Sequence, residues 1–285
     1  MKLLFADAHC HVNPIYGYGA GRIADLFKKK NGWFLALISL PPHYYGLNSF
    51  GIEAYEKAFN ILIREADEAR RAGLKISVLA GFHPAEIDEY VRRGYGLREV
   101  YELGVKVLDY VSKLYEKGLV DGIGEVGRQH YSTNPSRLVL SELIMFEALK
   151  YARDYGMLVH LHTEQSGFTT AESIAKITDM IGVNKDLVNV HHVDYETSIE
   201  CERRSLWYSF PIKFKEVSRV LVESRERLLI ESDFIDDPRR PGVSAYPWNI
   251  AEVIEKLVID GFVNEESIMR IMVDHIVKFY GVEPP

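Results

Sequence analysis

Short apolar runs alternate with amphipathic stretches along the whole chain. Each run is about the length of a strand, and most lack the strict alternation of a half-exposed strand, so we expect strands buried on both faces. The runs cover residues 3–8, 33–40, 75–81, 120–125, 157–162, 187–192, 206–211 and 228–233. The pattern therefore predicts eight strands.

The stretches between these runs carry the periodicity of helices. In residues 52–72 apolar positions recur every three to four residues, and Gly73 follows where a helix C-cap is expected. Residues 137–155 repeat this pattern and are followed by Gly156. A final helical stretch is predicted over residues 264–280.

Strands that alternate with helices in this way are typical of parallel sheets with right-handed crossovers. Eight such units predict an α/β fold of the (β/α)8 TIM-barrel type, with an extra C-terminal helix, in a single domain over residues 1–285. A barrel of this type needs about 250 residues, which the 285 residues supply. The alternative is an open, doubly wound sheet.

Composition and charge exclude several classes of protein. Hydrophobic residues make up 47% of the chain, which excludes wholesale disorder, and two cysteines exclude both a disulfide scaffold and a four-cysteine zinc module. A net charge of −7 argues against nucleic-acid binding through bulk charge. No apolar run could span a bilayer, and the N-terminal run is broken by Asp7 and His9, so we expect a soluble, cytoplasmic protein without a signal peptide and without membrane partners.

Seven of the ten histidines lie at or just beyond the C-terminal ends of predicted strands, together with one Glu and one Asp. Active sites of TIM barrels are built at this end of the strands. The residues are His9, His11, His83, Glu125, His160, His162, His191, His192 and Asp233. Imidazoles and carboxylates suit divalent ions, and one carboxylate can bridge two of them. The layer therefore predicts a divalent-metal site for hydrolysis.

Each feature taken alone has a simpler interpretation. Two histidines at a spacing of two are commonly structural, and Glu125 or Asp233 alone could cap the helix or loop that follows. Five strand ends that all carry ligand-type residues are hard to explain in that way. The metal site is therefore favoured by the convergence of these residues.

Five motifs in this layer resemble those of the TatD-like metal-dependent hydrolases, a family of the amidohydrolase superfamily. They are DAHCH at residues 7–11, GFHP at 81–84, IGEVG at 123–127, VHLHT at 159–163 and ESD at 231–233. They occur in the family's order and, with the C-terminal residues 279–281, extend over almost the whole chain. The resemblance implies a (β/α)8 barrel with two divalent ions, and hydrolysis of DNA phosphodiesters as the best-known activity.

The resemblance also implies roles for individual residues. One ion would be held by His9, His11, Glu125 and Asp233, and the other by Glu125, His162 and His192. Asp233 would also accept the proton of the attacking water, and His83 would face a phosphate oxygen. The ions could be zinc, manganese, nickel or magnesium, because histidine and carboxylate ligands admit all four.

Strand parity leaves two of these assignments open. His160 and His162 share one face, so parity cannot separate them, although His162 is nearer the strand end and matches the family position. His191 and His192 point to opposite faces, so we expect only one of them to enter the barrel. Parity favours His191, whereas the motif context of residues 192–194 favours His192, which we take as the ligand.

The chain departs from the family pattern around the expected substrate. Ala85 stands where the family has a second histidine, and Glu164 stands where it has an arginine after the fifth strand. Gly-Leu-Asp after the bridging glutamate is replaced by residues 127–129, which introduce Arg128. We take Arg128 and His83 as the substrate-binding candidates.

The sequence thus predicts a metal-dependent hydrolase that uses a two-metal-activated water, with Asp233, Glu125 and His83 as catalytic residues. A phosphodiesterase or deoxyribonuclease acting on nucleic-acid ends or small molecules is preferred. One alternative is hydrolysis of a C–N or C–O bond, as in an amidase, lactonase or deaminase. Another is a metal-binding scaffold without turnover, against which the presence of both Glu125 and Asp233 argues.

Overall fold

The computed structural model describes residues 2–223, 225–240 and 243–285, and nine parallel strands form one sheet within them. The strands are β1 (Phe5–His11), β2 (Gly32–Ile38), β3 (Lys75–Ala80), β4 (Gly122–Gly127), β5 (Leu158–His162), β6 (Val188–His191), β7 (Trp207–Pro211), β8 (Leu228–Glu231) and β9 (Phe234–Ile235). Every residue of β1, β2 and β4–β8 is buried. The prediction of strands covered on both faces therefore agrees with the structure.

The strands follow chain order across the sheet, from β8 through β1 to β9. The sheet curls, so that β9, which comes two residues after β8, pairs with β1 on the far side. The predicted TIM-barrel-like arrangement of parallel strands is confirmed, whereas the strict count of eight strands is not. Strand β8 ends at Glu231, two residues before the end of the predicted run 228–233, and β9 begins only after Asp233, which adopts a left-handed backbone conformation with φ of 51°.

Helices connect consecutive strands and cover the outside of the sheet. They are α1 (Ala20–Lys28), α2 (Ile52–Arg71), α3 (Ala85–Arg92), α4 (Leu97–Glu116), α5 (Pro135–Tyr155), α6 (Phe168–Ile181), α7 (Tyr195–Arg203), α8 (Val217–Glu223), α9 (Pro247–Ile259), α10 (Glu265–Met269) and α11 (His275–Tyr280). A π-helical turn over Arg270–Asp274 joins the last two. None of the helices in the described ranges is both long and apolar enough to span a membrane.

Local signals explain where these helices begin and end. The longest, α5, begins after Asn134, whose side chain accepts a hydrogen bond from the Ser136 amide, and Pro135 occupies its first turn. It ends at Gly156, which adopts the left-handed conformation of a C-cap. The predicted boundaries of this helix differ from the observed ones by two residues at the start.

Asp7 fastens β1 to the segment that follows β8. It is fully buried, and its Oδ1 atom accepts hydrogen bonds from the backbone amides of His9 and Ser232, at 3.1 and 2.9 Å. The Ser232 hydroxyl donates to its Oδ2 atom at 2.5 Å. Burial raises the pKa of Asp7 to about 7. This carboxyl therefore sets the position of two neighbouring strand ends, at His9 and at Asp233.

Gly127, the last residue of β4, allows β4 and β5 to approach closely at the same level. Its φ is 138°, and a Cβ atom there would lie 2.1 Å from the carbonyl oxygen of His162. The register pairs Gly127 with His162, and His162 in turn with His191 on β6. The glycine therefore aligns three strand ends.

Replacing Gly127 by alanine is expected to lower the free energy of unfolding by more than about 3 kcal/mol, because both the backbone angle and the contact with His162 oppose a Cβ atom. Gly94 is a matched control, since its φ is also positive, at 95°, but nothing lies within 4 Å of the added atom. Gly94→Ala should cost only about 1 kcal/mol. Urea unfolding of both variants measures the difference, and equal losses would contradict the proposed contact.

Candidate metal centre

Glu125 lies at the centre of the histidine layer, and its two carboxylate oxygens face different pairs of imidazoles. Its Oε1 atom lies 2.9 Å from His11 Nε2 and 3.1 Å from His9 Nε2. Its Oε2 atom lies 2.7 Å from His162 Nδ1 and 3.0 Å from His191 Nε2. This division is the arrangement that a carboxylate bridging two metal ions requires.

The ring nitrogens that face away from Glu125 determine the tautomers of the first pair. His11 Nδ1 lies 3.1 Å from the carbonyl oxygen of Ile38, which can only accept, so Nδ1 carries the proton. His9 Nδ1 lies 3.1 Å from Nδ1 of His160, so its tautomer depends on that of His160.

A chain of hydrogen bonds from the C-terminal helix settles the tautomer of His160. The Tyr280 hydroxyl donates to the carbonyl oxygen of Ala8 at 2.7 Å, and it therefore accepts from His160 Nε2, which lies 3.2 Å away. His160 Nδ1 is then unprotonated and accepts from His9 Nδ1. The Nε2 atom of His9 is left with a free lone pair, as ligation of a metal requires.

The first pair is therefore suited to a cation. The Nε2 atoms of His9 and His11 lie 3.2 Å apart, and both approach the Oε1 atom of Glu125. Three potential ligand atoms converge here, and a cation must lie among them. Where no metal ion is bound a proton can take that place, because the Glu125 carboxylate outweighs burial and raises the pKa of His11. Two imidazole nitrogens and a carboxylate oxygen are ligands that divalent transition metals accept.

On the Oε2 side of Glu125 the structure differs from the sequence prediction. Both His191 and His192 reach the site. His191 ends β6, and His192 follows it with φ of 45°, so the alternation of strand faces stops between them. His192 Nδ1 lies 2.9 Å from His191 Nε2, and His192 lines the cleft. The expectation that only one of the two enters the barrel is wrong.

Asp233 joins the cleft from the end of β8. Its backbone amide donates to the carbonyl oxygen of His9 at 3.1 Å, and its left-handed φ turns the chain over the layer. Burial raises the pKa of Asp233 to about 6, the carboxylates of Glu231 and Glu125 add to this, and His191 and His11 oppose it.

His83 is oriented as a hydrogen-bond donor toward the cleft. Its Nδ1 atom accepts from the Ala85 backbone amide at 3.0 Å, so in the neutral ring the proton is on Nε2, which lies 3.5 Å from Glu125 Oε2. Burial lowers the pKa of His83 to about 3, so the ring is neutral at physiological pH. A neutral ring with Nε2 protonated can donate to a substrate oxygen and cannot ligate a metal through that atom.

Arg128 does not face the cleft, in contrast to its predicted substrate contact. Its Nε and Nη2 atoms form a two-pronged ion pair with Glu164, at 2.8 and 2.7 Å. Nη2 also donates to Ser173, and Nη1 donates to Glu142. These partners occupy four of the five N–H donors of the guanidinium, and the ion pair neutralises Glu164 at the side of the cleft.

The remaining predicted residues, except His9, which is fully buried against Glu125, meet in one cleft of about 730 Å³. Its wall includes His11, His83, Glu125, His162, His192 and Asp233, with Lys213 and Arg240 farther out. Burial alone would raise the pKa of Glu125, but the imidazoles of His191, His83 and His9 outweigh it and hold that pKa well below its usual range. The Glu125 carboxylate is therefore ionised even though it is buried.

Four residues that contact the histidine layer are not among the predicted ligands: His130, His160, His191 and Tyr280. The contacts of the last three are described above, and His130 places its Nδ1 atom 2.7 Å from His162 Nε2. Strand position drew attention to His160 and His191 in the sequence. No local pattern places His130 or Tyr280 in this layer, because one lies in a loop and the other in a helix far along the chain.

The match to a family model confirms the resemblance seen in the motifs. Residues 6–281 match the model described as TatD related DNase, so the chain belongs to this family.

Similar proteins agree with this assignment. The uncharacterized protein MJ1127 of Methanocaldococcus jannaschii is 28% identical over 99% of this chain and 97% of its own length. The TatD homolog YjjV of Escherichia coli has a TM-score of 0.67 at 16% identity, with 99% of this chain and 100% of that chain covered. The phosphotriesterase homology protein of Escherichia coli, solved with phosphate in its active site, has a TM-score of 0.63 at 13% identity, with 98% and 99% covered. At these identities the two structures show a shared fold.

Replacing His160 tests the hydrogen-bond chain that orients His9. His160→Leu removes the acceptor for His9 Nδ1, so the His9 ring can change tautomer, and we expect metal affinity to fall about 10- to 100-fold. His160→Gln keeps an acceptor at this position and should retain most of the affinity. The affinity of metal-stripped protein for zinc, measured against a chromophoric chelator, tests this, and equal affinities of the two variants would contradict the tautomer argument.

Glu86 supports the loop that carries His83. Its Oε2 atom accepts from the His83 amide at 3.1 Å, and its Oε1 atom accepts from the Tyr55 hydroxyl at 2.5 Å. Burial raises the pKa of Glu86 to about 8, so the folded protein holds this carboxyl protonated at neutral pH.

The raised pKa of Glu86 predicts a pH-dependent stability. In the unfolded chain the group ionises near pH 4.5, so its contribution to stability is complete below that pH and is lost as pH rises to about 8. Glu86→Gln cannot ionise, so its free energy of unfolding should fall less than that of the wild type between pH 5 and 8. Glu283→Gln, at an exposed position, is the control and should follow the wild type. An unchanged slope for Glu86→Gln would refute the assignment.

Proposed function

We propose that this member of the TatD-related DNase family is a metal-dependent phosphodiesterase, acting as a single domain over residues 1–285. The observation that carries the proposal is the division of the Glu125 carboxylate between two groups of imidazole nitrogens at the floor of one cleft. A buried, ionised carboxylate in this position suits two cations, and hydrolysis is the chemistry that such pairs serve.

The residues divide naturally into two sets of ligands. His9 and His11, with the Oε1 side of Glu125 and with Asp233, would hold one divalent ion. The second would lie on the Oε2 side of Glu125, with His162 and with the His191–His192 pair. When bound, the two ions would supply a nucleophilic water at neutral pH and neutralise charge on the reacting oxygens.

The chain's own groups supply proton transfer and orientation. Asp233, whose pKa is raised to about 6, can accept a proton near neutral pH. His83 presents Nε2–H to the same cleft and would donate to a non-bridging oxygen of the substrate. Asp233 is assigned as the proton acceptor because it is a carboxylate, and His83 is assigned as the donor because its Nε2 atom carries the proton.

The charge around the cleft favours a compact anionic substrate. Lys213 and Arg240 line its outer wall and can contact phosphate oxygens. The chain as a whole carries a net charge of −7, which opposes binding of long duplexes. Ends of nucleic acids and small phosphodiesters are therefore the preferred substrate class.

A second candidate is hydrolysis of a C–O or C–N bond in a neutral molecule. It is supported by Glu164, which replaces an expected cation and is itself neutralised by Arg128. That side of the cleft therefore offers no free positive charge to a phosphate. A lactone or amide would not need one, and the same ligands would serve its hydrolysis.

Asp233→Asn is expected to lower kcat on bis(p-nitrophenyl) phosphate about 10²- to 10⁴-fold, because asparagine cannot accept the proton. Asp237→Asn is the control, since Asp237 pairs with Arg239 and should leave kcat within a few-fold of wild type. Both proteins are assayed after reloading with zinc or manganese, and δ-valerolactone is tested in parallel. Turnover of the lactone without the phosphodiester would favour the second candidate. Bound ions with no turnover of either substrate would favour the scaffold interpretation.

A further inference from the structure

His191 Nε2 has three potential metal-ligating atoms around it at similar distances. Glu125 Oε2 lies 3.0 Å away, His162 Nδ1 3.1 Å away and His192 Nδ1 2.9 Å away. Zinc–nitrogen bonds of about 2.0–2.1 Å place tetrahedral ligand atoms about 3.3 Å apart. The three distances from His191 Nε2, and the 2.7 Å between Glu125 Oε2 and His162 Nδ1, are each a few tenths of an ångström shorter than this spacing.

The left-handed backbone at His192 makes this grouping possible. Two consecutive residues of a regular strand point to opposite faces, but β6 ends at His191 and the next residue has φ of 45°. The two rings consequently lie with centroids 4.3 Å apart and planes at 71°. Histidine is one of the few non-glycine residues that adopt this backbone conformation with some frequency.

Groups behind the rings leave the required lone pairs free. Glu231 Oε1 accepts from the His192 amide at 2.8 Å and lies 3.5 Å from His191 Nδ1, which draws the proton of His191 to that side. His130 Nδ1 lies 2.7 Å from His162 Nε2 and can accept the proton of His162 there. In the neutral rings that ligation requires, His191 Nε2 and His162 Nδ1 are then the atoms that present lone pairs toward Glu125.

We propose that the second ion is held by four protein atoms, from Glu125, His162, His191 and His192, and that this set selects zinc or a similar late transition ion over magnesium. Three imidazoles and one carboxylate favour zinc, cobalt and nickel, whereas magnesium prefers oxygen ligands. The first site offers two imidazoles and two carboxylates, so the two sites differ in selectivity. This inference rests on the two-ion site of the proposed function and names the ions that it takes.

A separate third ion between His130, His162 and His192 is the competing arrangement. It would require His162 to ligate through Nε2, which lies 2.7 Å from His130 Nδ1. A neutral imidazole ligates through one nitrogen only, and the approach of His162 Nδ1 to Glu125 Oε2, at 2.7 Å, favours four ligands around one ion. Metal stoichiometry distinguishes the two arrangements.

Metal binding to the purified full chain tests the proposal without any assay of hydrolysis. Protein stripped by a chelator is titrated with zinc, cobalt and magnesium, with affinities measured by competition and calorimetry. We expect two equivalents of zinc, and magnesium should fail to displace zinc from the tighter site. His191→Ala and His192→Ala should each weaken zinc at one site about 100-fold or more while the other site is retained. His43→Ala, an exposed histidine, is the control and should bind as the wild type does.

X-ray absorption of zinc-loaded wild-type protein gives a second measurement that does not depend on the folding of a variant. With two ions bound, five imidazoles in total should surround zinc, three at one site and two at the other. Four imidazoles, or wild-type affinity in either histidine variant, would overturn the proposal, and three equivalents of zinc would support the third-ion arrangement instead. If two ions bind as described but no substrate is cleaved, the ligand assignment stands and the proposed function fails.

Discussion

The site depends on keeping one ionised carboxylate inside the sheet. Glu125 is buried, and a buried charge is stable only when opposite charge and hydrogen bonds surround it. Imidazoles from β1, β5 and β6 supply that environment, which explains why their strands end at one level and why Gly127 must let β4 and β5 approach closely. The carboxylate can stay ionised only while these strand ends hold the imidazoles around it.

The outer partners of the histidines matter as much as the histidines themselves. Each imidazole can offer a lone pair to a metal only if its other nitrogen has a place to donate. Hydrogen bonds to Ile38, His160 and His130 provide such places for His11, His9 and His162, whereas the Glu231 carboxylate, 3.5 Å from His191 Nδ1, attracts the proton of His191 by its charge. This second layer turns a cluster of histidines into a set of oriented ligands.

Periodicity and strand ends were sufficient to predict the parallel α/β fold and the layer in which the candidate residues meet. Parity arguments hold only within a strand, so they were wrong at His192, which lies one residue beyond β6, and they gave no reason to expect the short strand β9. The partners of Arg128 come from two different helices and a loop, so its neighbours could not be deduced from the residues beside it. Contacts between distant segments, such as Tyr280 with His160, are set by packing and leave no local pattern in the sequence.

The hydrogen bond from Tyr280 to Ala8 joins segments that are separated by nearly the whole length of the chain. During synthesis on the ribosome, His9 emerges early, but the residue that fixes its orientation emerges more than two hundred and fifty residues later. A nascent chain therefore exposes histidines and carboxylates long before they form an ordered site. The ordered layer is therefore complete only after α11 has packed against β1.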